Sequence, residues 1–393
     1  MRSIEILREK LSGDFNFLHS RRQDSLWHAV DALMVGGRLW LTALGRDMKG
    51  PAREKHRIKA ADRLLGCSTI QENLVRMYRA LAAWLLRGSP RPVLLVDWTA
   101  CGHQHFVLRV GVPFGGRSIL LYGIVVPREK QENRALQGEF LKTLATIIPS
   151  HCRPVIVTDA GFHRHWFEQV AALNWDYIGR IRGKFHVNLN GKKAHFSKLF
   201  TRARSRPVDL GLAEVGANRR DQRRLVLSSK PKPKGRRRLT RNGERGRRDS
   251  DVTAAAGAKE PLLLATSLTC AAYKVVKTYA TRMQIEESFR DLKSHRYGCA
   301  FSCSKSRDPR RIAVLMMIAT LACIAWFVVG RAAENCKLQR HFQANTIRDR
   351  RVLSLLTLGR RIVQTATRIP IPDLRAAFDA FHLLTEAANP FSI

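Results

Sequence analysis

Acidic residues are scarce in this 393-residue chain: 32 Asp and Glu stand against 69 Lys and Arg, a formal net charge of +37. Such an excess opposes compaction by self-repulsion unless a polyanion offsets it. Nucleic acid is therefore the first partner to consider and an anionic membrane the second; a small acidic substrate would not require so much charge. No Cys-x-x-Cys pair occurs among the eight cysteines, and Cys299 and Cys303 have no equally spaced Cys or His partners to complete a zinc site. Idle thiols in a reducing cytoplasm are the expectation. Residues 1–13 alternate in charge and lack an apolar stretch, so no secretory leader is expected there. Long apolar runs are also missing, with one exception. Residues 312–329 are uncharged and just reach the length of a membrane span, with Arg310, Arg311 and Arg331 on both flanks. A helix buried on all sides gives the same pattern, and that is the preferred reading, with no membrane partner. Apolar residues are plentiful at 45%, with seven Trp and seventeen Phe, which excludes global disorder and suits two or three domains.

Residues 1–90 read as an all-helical domain. Apolar residues recur at three- and four-residue spacing over 26–33 and 39–44. A break at Lys49-Gly50-Pro51 follows, then a second helix over 53–65. Helix, Gly/Pro turn and basic helix outline a helix-turn-helix, with Arg53, Lys55, His56, Arg57 and Lys59 as DNA-contact candidates. A solvated basic helix in a three-helix bundle has the same outline. From residue 93 the pattern changes. Strands are expected over 93–98, 106–112 and 118–126, a helix over 134–148, a strand over 154–158, a helix over 163–173 and a strand over 177–181. That order is the order of a ribonuclease-H-like α/β core, placed here at residues 91–310. Residues 185–260 interrupt it with little helical signal. Between Arg219 and Arg248 they carry fourteen Lys and Arg against Asp221 and Glu244. Such a block reads as a solvated loop, as a loop that neutralises phosphates, or as both. A strand over 262–267 and a helix over 275–294 resume the core, and residues 311–393 form a helical C-terminal region.

Two aspartates sit at the ends of apolar strands, Asp97 in LLVDWT and Asp159 in VTDAG. A carboxylate there is costly to desolvate unless a cation or metal meets it, although such residues also cap turns. At about 100° per residue, Tyr279, Arg282, Glu286 and Lys293 fall near ~0°, ~300°, ~340° and ~320° on one helix face, with Glu287 off it. Intrahelical pairing of Arg282 with Glu286 is the ordinary alternative. Three converging carboxylates without a His or Cys set favour Mg²⁺, with Mn²⁺ as a substitute. Two such ions about 4 Å apart suit phosphodiester chemistry. The pairs His103/His105 and His163/His165 read as surface histidines. Trp98 and Trp166 fit either a core or a base-stacking role.

Tyr279-x2-Arg282-x3-Glu286-x6-Lys293 resembles the Y-R-E-K signature of the insertion-sequence-four family of DDE transposases. The words KHRIKAADRLLG, LLVDWT, VTDAGF, RMQIEESFRDLKS and HFQANTIRDRRVLS are similar to that family as well, across nearly the whole chain. The resemblance implies a metal-binding catalytic triad of Asp97, Asp159 and Glu286, with Tyr279, Arg282 and Lys293 on transposon-end DNA. It also implies a β-rich insertion at 185–260 and cut-and-paste transposition through hairpin ends. The partners would be double-stranded DNA, as inverted-repeat ends and target, and a second copy of the chain. The compartment would be the cytoplasm, at the nucleoid.

Overall fold

The computed structural model describes residues 2–102, 104–183, 185–216, 221–229, 260–344, 346, 347 and 349–381. His103, Arg219, Arg220, residues 230–259, and Asn345 and Arg348 of the HFQANTIRDRRVLS word lie outside these. The chain divides into two compact units, one made of Met1–Val155 and Thr281–Ile393, the other of Ile156–Ala280.

The first unit opens with six helices: α1 Arg2–Leu11, α2 Ser20–Gly36, α3 Leu41–Asp47, α4 Glu54–Leu65, α5 Ser68–Glu72 and α6 Leu74–Leu85. The apolar stripe Leu26, Val30 and Leu33 buries α2. The helix stops at Gly37, whose left-handed backbone (φ 65°) returns its N–H to the Leu33 carbonyl. Helices α3 and α4 approach so closely that a Cβ on Gly45 would lie 2.4 Å from the Ile58 Cα. Arg57 Nη1 donates to the Met48 carbonyl at the end of α3, at 2.5 Å.

Strands β1 Val93–Cys101, β2 His105–Phe114 and β3 Arg117–Pro127 then form an antiparallel meander in the order β3-β2-β1. Gly115 and Gly116 supply the two positive φ angles (53° and 85°) of the tight β2–β3 turn. Helix α7 (Arg134–Ile147) is capped by Asn133, which accepts the Leu136 N–H. Val155, the first residue of strand β4 (Val155–Thr158), donates its N–H to the Pro92 carbonyl at 2.9 Å.

The second unit begins within β4. It contains α8 Arg164–Ala172, β5 Asp176–Arg180, β6 His186–Leu189, β7 Lys192–His195, β8 Val208–Val215, β9 Asp221–Ser228, β10 Leu262–Thr266 and α9 Ala272–Ala280. Its strands run in the order β4-β5-β10-β9-β8-β6-β7, antiparallel at the β5–β10, β10–β9, β9–β8, β8–β6 and β6–β7 pairings. Part of the Arg-rich block is therefore strand and not loop. Within β9, Arg223 is buried against Asp221 and over the Phe167 ring, while Arg224 pairs with Asp209. Trp166 is fully buried and packs on Phe162, so it is a core residue and not a base-stacking platform.

The chain returns to the first unit with α10 Met283–Lys293, α11 Pro309–Asn335, α12 Leu355–Gln364 and α13 Ile371–Asp379. The single helix expected over 275–294 is in fact two, α9 and α10. At the junction the Gln284 N–H bonds to the Thr281 carbonyl and the Ile285 N–H to the Arg282 carbonyl. These i to i+3 bonds tighten the backbone between the two helices. Helix α10 is fastened to β3 by reciprocal bonds, Ser118 N–H to Ser288 Oγ (2.6 Å) and Ser288 Oγ to the Ser118 carbonyl (3.0 Å), and by the Arg117–Asp291 pair.

Helix α11 contains the long apolar run and is long and apolar enough to cross a membrane, yet 89% of that window is buried in the protein. Its end is set by Asp308, which accepts the Arg310 N–H, and by Pro309 in the first turn. It crosses α12 with glycine on both sides: a Cβ on Gly359 would lie 1.9 Å from the Trp326 carbonyl oxygen, and one on Gly330 would lie 2.0 Å from that of Leu355. The partner atoms are backbone and cannot rotate away. Gly359→Val is therefore expected to destabilise the protein by roughly 3 kcal/mol through forced separation of the helices. Gly13→Ala, which meets nothing within 4 Å, should stay within about 0.5 kcal/mol of the parent. Urea unfolding of the two variants checks both; equal midpoints would show that the crossing tolerates a side chain.

Candidate active site

Alternation along β1 places Asp97, Thr99 and Cys101 on one face. Helix α10 lies against β1, β2 and β3 and brings its own row, Glu286, Phe289 and Lys293, with Arg282 at its N-cap. Only 8% of Asp97 is exposed. One carboxylate oxygen accepts the Trp98 N–H at 2.8 Å, and the other accepts Arg282 Nη1 at 3.3 Å. The same guanidinium uses Nη2 to bind Glu286 Oε1. Arg282 thus gathers Asp97 and Glu286 around one positive charge. The intrahelical Arg282–Glu286 pair also forms, with Asp97 as a third member that helix periodicity does not reveal.

Lys293 Nζ donates to Thr99 Oγ1 at 2.6 Å and sits 5.9 Å from the centre of the Phe289 ring. Burial pulls this ammonium below the ordinary lysine range, with the nearby Cys101 thiol acting in the opposite sense. The Cys101 thiol is itself pushed up to about 11 by burial, against the influence of Lys293. An open groove of about 660 Å³ begins here, lined by Lys293, Gln104, Ser302, Lys305 and Arg307.

In the second unit Asp159 follows directly on β4, half-buried, and its Oδ1 accepts the Gly161 N–H at 2.9 Å in a tight turn. A Cβ on Gly161 would lie 3.2 Å from that oxygen. Tyr279 is 91% buried on α9. Among the described residues no group of three or more His, Cys, Asp or Glu side chains is gathered to hold a metal ion. The donor chemistry still fits a hard divalent cation. Asp97 and Glu286 present carboxylate oxygens to one cationic position, and a divalent ion would compete with Arg282 for them.

Arg53, Lys55, His56 and Lys59 project from the first turns of α4 and are exposed, while Arg57 is half-buried against α3. His163 is exposed and His165 pairs with Glu168 at 3.4 Å. Trp98 is half-buried beside Asp97. Sequence reasoning missed Thr99, Asp291 and Ser288. Thr99 had a signal, since it stands two residues beyond Asp97 on the same strand face. The other two did not, because their partners Arg117 and Ser118 are about 170 residues away in the chain.

Asp97 lies in the middle of β1, which continues to Cys101, and not at a strand end as the sequence led one to expect; Asp159 does directly follow β4. The family model described as transposase DDE domain matches residues 88–324, more than half of the chain, and the protein belongs to that family. It is therefore a DDE transposase, of a class of enzymes that use divalent metal ions and for which DNA is the expected partner. No curated protein matches the chain.

The shared guanidinium yields a test that needs no DNA. Arg282→Met leaves two carboxylates facing each other, one of them buried, and should cost about 3 kcal/mol at neutral pH. Combining it with Asp97→Asn should recover much of that loss, and millimolar Mg²⁺ should stabilise the single variant more than the double. Thermal unfolding with and without Mg²⁺ measures both effects. An Arg282→Met protein as stable as the parent would remove the ion pair from the forces holding α10 on β1.

Proposed function

We propose that this transposase belongs to the insertion-sequence-four family, in the insertion-sequence-ten branch, and moves its element by cut and paste. The observation that carries the proposal is the Arg282 bridge between Asp97 and Glu286, which ties the signature helix to the strand bearing the first aspartate. The β3-β2-β1 meander followed by α7 and β4 supports a ribonuclease-H-like core at 91–310 with a β-rich insertion near 185–260. Residues 1–90 would bind the transposon end, and 311–393 would be a helical C-terminal region.

Asp97, Asp159 and Glu286 would hold two Mg²⁺, or Mn²⁺ in their place, which when bound activate the attacking oxygen and stabilise the leaving one. Arg282 orients Asp97 and Glu286. Lys293, with Lys305 and Arg307 along the same groove, would neutralise phosphates of the transposon end. Tyr279 would contact the same DNA, and Arg53, Lys55, His56 and Lys59 on exposed α4 would read the end sequence. In the first step water attacks a phosphorus and the 3′-oxygen leaves, freeing a 3′-hydroxyl. That hydroxyl attacks the opposite strand to close a hairpin, which is reopened before the 3′ end joins target DNA. Each step exchanges one phosphodiester bond for another P–O bond, so no covalent protein intermediate is needed. Holding two ends calls for a homodimer in the synaptic complex, in the cytoplasm at the nucleoid.

The experiment uses DNA carrying the inverted repeats that flank this reading frame, incubated with protein and Mg²⁺ and resolved on a denaturing gel. Excised fragments closed by hairpins are expected from the parent, with activity reduced at least a thousandfold in Asp159→Ala. Nicks without hairpins or joining would assign a nuclease. Binding without cleavage in either Mg²⁺ or Mn²⁺ would assign a DNA-binding repressor.

A further inference from the structure

Between β2, β3, α10 and α11 the first unit leaves a partly open cavity of about 30 Å³, lined by Arg109, Arg117, Asp291, Cys323 and a larger set of apolar side chains. Arg109, on β2 directly opposite Asp97 in register, is 7% exposed. Its buried Nε has no hydrogen-bond partner, and it makes no ion pair among the described residues. The Phe289 ring lies 5.4 Å from its guanidinium carbon, which engages one face of the group and none of its N–H donors. Burial lowers Arg109 to about 10, so it still carries its charge at neutral pH.

No carboxylate pairs with it among the described residues: Asp97, across the strands, pairs with Arg282, and Asp291 is taken by Arg117, with Arg360 and Glu287 also acting on that carboxylate. Burial raises the Cys323 thiol and the Tyr78 hydroxyl, so both are uncharged at neutral pH. A buried charge is tolerated when a counter-charge meets it, and the cavity has room for a small ion.

We propose that this cavity binds a halide, chloride in the cell, on the Arg109 guanidinium, and that the ion fastens α10 to β2 and α11 from beneath. The proposal is independent of the transposition mechanism and is tested without DNA. The full-length protein is unfolded thermally in sodium chloride, sodium bromide or sodium gluconate at one fixed total ionic strength. This cancels the general effect of salt on a +37 chain; gluconate is too large to enter. A saturable rise in Tm of roughly 2–4 °C is expected in the halides over gluconate, and none in Arg109→Met. Crystals of the parent soaked in bromide should give an anomalous peak beside Arg109. The soak decides the matter even where Arg109→Met does not fold. Equal Tm in all three salts at every concentration, or a cavity holding water alone in the bromide-soaked crystal, would overturn the proposal.

Discussion

A carboxylate on the buried face of a strand has to be met by positive charge, and in this protein one guanidinium does so for two of them. Arg282 stands where α10 begins, between Asp97 on β1 and Glu286 one helical turn further on. Because it binds both, the position of the helix along the strand is set as well as the charge balance. Downstream, Lys293 reaches Thr99 on the same strand, while Ser288 and Asp291 bond to β3. The helix is thereby held at both ends and in the middle, by directional bonds and not by apolar contact alone.

Beneath this polar arrangement the first unit depends on α11. A helix apolar on every side must be covered on every side, and α2, α12, α13 and β3 all pack against it. Glycine at the α11–α12 crossing lets two backbones meet where side chains would hold them apart. Dense packing of this kind leaves few voids. The small cavity at Arg109 stands out because a buried guanidinium lines it among mostly apolar side chains. The halide proposal and the Arg282 bridge share a theme: in a chain so rich in cations, the interior is organised by how each buried cation finds its anion.

The same excess shapes the surface. Many acidic side chains are already engaged internally, as in Arg46–Glu54, Arg311–Asp62 and Arg351–Glu334. Glu334 shows the effect on titration: burial pushes its carboxyl up, but Arg351 and Arg331 more than offset that and hold it below the usual range. With so much of the acid committed, the unpaired positive charge faces outward, including the exposed cations of α4 and the lining of the Lys293 groove. This accords with the DNA partner that family membership suggests.

Much of this was legible in the amino-acid order. Short apolar or alternating runs located β1, β2 and β3, and the length of the apolar run located α11, because these patterns are local. The spacing of Arg282 and Glu286 announced their pairing for the same reason. Other features were decided by tertiary structure. The continuous helix expected through Tyr279 breaks at Thr281-Arg282 with no Gly or Pro to announce it. Part of an apparent basic loop supplies β9, because Arg223 and Arg224 find carboxylates only once Asp221 and Asp209 stand beside them. The contact of Arg282 with Asp97 and the isolation of Arg109 depend on which distant segments share a face. Local sequence determines what a residue can do, and long-range packing determines which partner it meets.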